Sequence, residues 1–288
     1  MRPSLVCIAS AASGVRHRVA MASAAKCFAD AQGLSLWLLW GVTRGVGYCR
    51  FEELFAAVPG LRVFNLSEDI VDHVAELVRR RPNVTLDNLR PALPHSKEFA
   101  PGSLFAWDIK VAGDLARRVA PNWKQLYFAP AAPLRRESAG YVRRHGLTSR
   151  LGIRVRVTDS SRDKRRPHRE PAELEETVKS LIAIPWHVPV FVVTDSEFVQ
   201  QMMASHFANT RSLPKAFETH STGGRFVKRM DRSVMMTFVM EVDCLCHCGL
   251  IASIGGFLNE SHVRHKILAG IGDAAVVRRF LQTARSPY

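Results

Sequence analysis

The chain has no GxGxxG turn and no GKS/T loop, so an ordinary dinucleotide or P-loop site is excluded. It has no GxSxG elbow and no HExxH helix, which removes the common serine-hydrolase and zinc-protease arrangements. An Asp-x-Asp pair, which would hold a metal-bound diphosphate, is also missing. No apolar run approaches the ~20 residues that cross a bilayer. Leu34 to Val42 is far shorter, and the run from Leu5 to Ala12 soon returns to Arg16, His17 and Arg18. That first run reads as a buried strand rather than a secretion signal. Cysteine is sparse: Cys7, Cys27, Cys49, Cys244, Cys246 and Cys248 all sit in apolar segments. They are expected to be reduced, buried thiols of a cytoplasmic protein. CLCHC, Cys244 to Cys248, is a single cluster with no second pair to complete a tetrahedral zinc site, so no metal is expected.

Acids are scarce as well. Lys plus Arg number 40 against 26 Asp plus Glu, a net charge of +14. Such a balance calls for an anionic partner: nucleic acid, an acidic membrane contacted peripherally, or a phosphorylated small molecule. No zinc-finger spacing, aromatic-basic RNA signature or basic zipper is visible, which argues against nucleic acid.

What is present is alternation. With 288 residues, 47% hydrophobic, the chain is long enough for two modest domains. Ser4 to Ser10 and Leu34 to Trp40 are continuous apolar runs, as expected of strands covered on both faces. Between them Met21, Ala25 and Phe28 recur at helical spacing, and Gly33 stands where a helix ends. Strand–helix–strand of this kind implies a parallel sheet. A short helix over Phe51 to Val58 and a strand over Val63 to Leu66 follow. Residues 82 to 133 are proline-rich and yield only a helix, Ile109 to Val119.

Ala129 to Pro133 reads as a connection between an N-terminal domain, residues 1–130, and a C-terminal domain, residues 131–288. Beyond it come a basic amphipathic helix over Leu134 to Arg144, a strand over Gly152 to Val157, and a helix opened by Pro171. Then follow a strand over Val188 to Val193 and a helix over Ser196 to Phe207. An apolar helix over Val234 to Cys248 precedes a strand over Leu250 to Ser253, a Gly255–Gly256 turn, and a helix from Asn259.

The arginines mark where chemistry is expected. On a strand Arg154 and Arg156 point the same way. Two guanidiniums on one face of a buried strand are costly unless they meet anions, and their planar fork suits phosphate. The alternative is an edge strand with solvent-facing arginines. Asp195 ends a buried strand and either binds a ligand or caps the next helix. Arg16 and Arg18 lie where the first strand gives way to the first helix, as an anion site or a solvated turn. The Gly255–Gly256 turn would let backbone approach a phosphate.

These pieces, in this order, resemble the α1,6-fucosyltransferases of the nodulation-factor and core-glycan type, and more distantly the protein O-fucosyltransferases. Gly14-Val15-Arg16-His17-Arg18 is similar to the family's opening turn, with Arg18 at its arginine position. Cys49, Phe51, Leu54 and Phe55 match its Phe-x-x-Leu-Phe element. Ile153-Arg154-Val155-Arg156-Val157-Thr158-Asp159 resembles its V-H-V-R-R-T-D strand, with Arg156 on the key arginine. Val193-Thr194-Asp195 resembles the A-T-D strand end, and Glu241, Asp243, Ser253, Gly255 and Gly256 fall in the closing helix, strand and loop.

The resemblance implies a GT-B-like α/β fold, two Rossmann-like domains facing a cleft, and a glycosyltransferase. It implies an inverting, metal-independent fucosyltransferase, with GDP-fucose or another nucleotide sugar as donor and a glycan or glycolipid as acceptor. The first domain would serve the acceptor and the second the donor, without further cofactor. Arg156 would be catalytic. Asp163 lies nearest the family's corresponding region, although flanking Arg162 and Lys164 suit it equally to ion pairing. Donor binding would fall to Arg18, Arg154, Thr158, Asp159, Thr194, Asp195, Glu241, Asp243, Ser253, Gly255 and Gly256. The rival readings are an inactive nucleotide-binding relative and a basic nucleic-acid-binding protein.

Overall fold

The computed structural model describes residues 3–9, 13–80, 84–123, 126–155, 186–219, 225–226, 231–254 and 268–269. The chain divides into two compact units, Met1–Ala132 with Arg229–Met236, and Pro133–Lys228 with Thr237–Tyr288. Each has its own parallel sheet, the α/β class expected from the alternation.

The first unit runs β1 (Ser4–Ile8), α1 (Val15–Gln32), β2 (Ser35–Val42), α2 (Phe51–Leu54), β3 (Leu61–Ser67), α3 (Glu68–Arg80), α4 (Leu86–Leu89), β4 (Leu104–Ala106) and α5 (Ile109–Val119). Its strands lie in the order β3-β2-β1-β4, all parallel. The apolar runs of β1 and β2 are buried, as strands covered on both faces must be. Gly33 ends α1 in the left-handed conformation, φ 63°, which costs glycine nothing. Trp37 anchors the core, stacked on Phe64 at 5.1 Å and edge-on to Phe99 at 5.4 Å.

Three differences from the sequence reading have physical causes. The helix expected over Phe51 to Val58 stops at Leu54, because Phe55 leaves it to bridge Pro130 and to pack against Trp40 and Phe128. The 13-residue α3 has no clear local signal because it abuts β3 with no intervening loop and buries only Val71 and Val74. Three-residue β4 is concealed among prolines; pairing with β1, Leu104 opposite Leu5, defines it rather than any local pattern. The stretch read as a connection is zipped to α2: Ala131 N donates to Leu54 O at 3.0 Å, and Ala56 N to Ala129 O at 2.9 Å.

The second unit runs α6 (Ala132–His145), β5 (Leu151–Val155), β6 (Val190–Thr194), α7 (Glu197–His206), β7 (Thr210–Arg211), β8 (Glu218–Thr219), β9 (Arg225–Phe226), α8 (Arg232–His247), β10 (Leu250–Ile254) and β11 (Leu268–Ala269). The first turn of α8 counts with the first unit. Five parallel strands form the order β11-β10-β5-β6-β7, while β8 and β9 make a separate antiparallel ribbon. The helices expected from Pro171 and Asn259, and the Gly255–Gly256 turn, lie outside the described residues.

Gly152 fixes how α8 lies on this sheet. A Cβ there would come within 2.9 Å of Leu245 Cδ2 and 3.0 Å of Cys248 Sγ, closer than side chains pack. Leu245 and Cys248 therefore press on the middle of β5, with Glu241 one turn before Leu245 on the same helical stripe.

Candidate functional site

In the second sheet the chain adds β6 and β7 on one side of β5, then returns to add β10 and β11 on the other. The order reverses between β5 and β10, and ligands of open α/β sheets bind beyond the carboxyl ends of the strands at such a point. Register brings the expected residues there: Arg154 is opposite Ser253 on β10, and Val155 is opposite Thr194 on β6.

β5 is thus a central strand, and Arg154 is 6% exposed, so the edge-strand alternative is overturned. By strand alternation Arg154 shares the face of Gly152, which α8 covers. Glu241 of α8 lies in that field. Lys215 completes the group: its Nζ donates to Glu241 Oε1 at 2.5 Å and to the carbonyl of Thr194, and both side chains are 4% exposed. Burial pushes the Glu241 carboxyl above its ordinary value; Lys215 and Arg154 oppose the shift, and Asp195 adds to it. Two cations and two carboxylates are therefore coupled at the strand ends, with Asp195 the more exposed of the acids.

Asp195 does not cap α7. Ser196 does, its Oγ accepting from Val199 N at 3.4 Å. Thr194 is buried, and its Oγ1 accepts from Ser196 N at 3.1 Å, which shapes the strand-to-helix turn.

Asp243 sits elsewhere. Two residues along a helix turns the side chain to nearly the opposite face, and its carboxylate accepts from Ser138 Oγ of α6. It joins α6 to α8 rather than the strand-end group. Arg18 belongs to the first unit and is wholly buried. Its Nε donates to Ser13 O at 2.8 Å, Nη2 to Thr43 Oγ1 at 2.7 Å, and Nη1 to Gly41 O. The guanidinium lies over Trp40, 5.1 Å from the ring centroid. Burial lowers its pKa to about 10, with Glu68 opposing the shift, so it keeps its charge at neutral pH. Arg18 is therefore not a solvated turn residue; it ties α1 to the end of β2.

Arg156, Thr158, Asp159, Asp163, Gly255 and Gly256 lie outside the described residues. Ser253 is placed by its strand register alone. Among the described residues no cluster of His, Cys, Asp and Glu has the arrangement of a metal site, and no helix is long and apolar enough to cross a membrane. The cysteines form no disulfide, but Cys27 and Cys246 are only partly buried, which corrects the expectation that all are interior.

Sequence pattern does not single out Lys215. It follows Pro214 in a stretch without helical or strand period, and the sole local signal is a cation set among Leu213, Ala216 and Phe217. Its ammonium also lies 5.4 Å from the Phe217 ring centroid.

No family model matches the chain, and no curated protein matches its sequence. Solved structures match its fold. The α1,6-fucosyltransferase NodZ co-crystallized with GDP gives a TM-score of 0.54 at 16% identity, over 92% of this chain and 92% of that one. NodZ from Bradyrhizobium gives 0.55 at 15% identity, over 93% of each chain. NodZ soaked with GDP-fucose gives 0.54 at 14% identity, over 91% of this chain and 92% of that one. The resemblance drawn from the order of motifs is therefore a likeness of fold along nearly the whole chain: this protein shares the GT-B-type, two-unit α/β fold of a fucosyltransferase.

Proposed function

We propose that this chain is a glycosyltransferase, an inverting and metal-independent one that moves fucose from GDP-fucose to a hydroxyl of a glycan or glycolipid. The observation that carries the reading is the strand-end group of the second unit. Arg154 lies opposite Ser253 where the strand order reverses, and it shares its field with Glu241, Lys215 and Asp195. The fold is shared with an enzyme that was crystallized with GDP. The second unit would take the donor and the first the acceptor.

In the reaction the acceptor oxygen attacks the anomeric carbon as the bond to the β-phosphate breaks, so negative charge collects on the departing diphosphate. Fixed positive groups that meet this charge lower the barrier without reorganising. In sequence Arg156 stands two residues beyond Arg154, and we assign it to the leaving phosphate. Asp163 is the candidate base for the acceptor proton.

Melting curves with GDP and GDP-fucose, set against UDP- and CMP-sugars, test the donor. GDP compounds are expected to stabilise the protein, with or without EDTA. Preference for UDP-sugars, or loss of the effect in EDTA, overturns this part. Arg156→Lys keeps the charge but loses the fork that holds two phosphate oxygens. A loss of ~3 kcal/mol in the transition state lowers turnover about a hundredfold at unchanged melting temperature. Near-parental donor consumption by that variant removes Arg156 from the mechanism.

A further inference from the structure

The opposite edge of the second sheet has a composition that the transferase reading leaves unused. Backbone hydrogen bonds knit the segments entering the strands into one continuous edge. Gly249 N donates to Arg150 O, Leu151 N to Pro189 O, Val190 N to Asn209 O and Ala208 N to Trp186 O, each at 3.0 Å. Segments 143–150, 186–189, 206–211 and 247–249 make up this edge and the end of α6 that borders it. They contain Arg143, Arg144, Arg150 and Arg211 with His145, His187, His206 and His247, and no Asp or Glu.

The last turn of α6 is held to the edge. Tyr141 Oη donates to Ser212 O at 2.9 Å, and Arg150 Nη2 to Asn209 Oδ1 at 3.0 Å. Arg143, Arg144 and Arg211 are exposed; farther along α6 stand Arg135 and Arg136, beside the exposed Glu137. The arginines are close enough to act together: Arg211, Arg144 and Arg150 each disfavour a charge on His145, after the larger effect of burial. Beside them stands Trp186, 63% exposed, on the loop that enters β6.

A tryptophan among arginines, on segments without Asp or Glu, is the composition of a surface that rests on lipid headgroups: the indole sits at the interface and the guanidiniums meet anionic lipid. A single-stranded nucleic acid would need several aromatic rings to stack successive bases; Trp186 is the one large exposed aromatic on this edge among the described residues. We propose that this edge docks on anionic phospholipid bilayers. Because strands run from this edge toward the candidate site, docking leaves the carboxyl ends open. The inference stands apart from the transferase reading.

The test is co-sedimentation of the full chain with vesicles of phosphatidylcholine alone and with about 30 mol % phosphatidylserine, at about 0.1 M salt. Binding is expected only with phosphatidylserine and is lost at high salt. Each arginine removed should weaken partition roughly fivefold, so Arg143→Gln/Arg144→Gln/Arg211→Gln loses about a hundredfold. Trp186→Ala should weaken it further at unchanged salt dependence. Melting temperature and the response to GDP should be unaffected in both variants, because these residues lie at the far edge from the site. Equal binding to both vesicles, or parental partition of the triple variant, overturns the proposal. So does retention on oligo(dT) that displaces the vesicles, which assigns the surface to nucleic acid.

Discussion

Replacing Lys215 by methionine tests the strand-end group directly. The substitution keeps the length of the side chain and removes two bonds, to Glu241 Oε1 at 2.5 Å and to the Thr194 carbonyl. Glu241 then keeps a charge in a site where its side chain is 4% exposed, with Arg154 the remaining cation in its field and Asp195 opposing. Breaking a buried pair from one side costs about 3–5 kcal/mol, or roughly 6–20 °C in melting temperature for a unit of this size. The loss should depend on pH. Burial already raises the folded carboxyl above its unfolded value, and losing Lys215 raises it further. A raised acid favours the fold while protonated, below the unfolded value, and that contribution is lost as pH rises through the folded value. Lys215→Met should therefore be less destabilised at about pH 5 than at about pH 8, measured by urea unfolding. Adding Glu241→Gln should recover much of the loss, because the uncompensated charge goes with it. Strictly additive single and double variants, or a loss without pH dependence, would refute the argument that the two groups are buried together.

Arg18→Met should cost about 3 kcal/mol, because it removes the buried bonds to the Gly41 carbonyl and the Thr43 hydroxyl and the guanidinium from over Trp40; urea unfolding of the first unit reads it. Gly152→Ala should lower stability by about 1–3 kcal/mol through overpacking against Leu245 and Cys248, and Leu245→Ala should relieve part of it, a cycle read by thermal melts.

What the sequence determined by itself was the alternation and the places where it ends. Continuous apolar runs declared β1, β2 and β6, because a strand covered on both faces needs no polar residue. Gly33 declared the end of α1, because φ 63° suits glycine. The order of motifs announced the fold before any coordinate. Local pattern could not decide partnership. That Arg154 lies opposite Ser253 follows from β10 returning to the far side of β5 across 99 residues. That Lys215 meets Glu241, 26 residues away, follows from how α8 lies on Gly152. The same rotation that brings Glu241 to the sheet sends Asp243 to Ser138, though both looked alike as acids on one apolar helix. That Arg18 is buried and bonded to Ser13, Gly41 and Thr43 is likewise beyond local pattern, since a charge at a strand end is equally able to face a phosphate or a carbonyl. Periodicity is a property of neighbours along the chain; burial and pairing are properties of neighbours in space, and only the tertiary structure sets those.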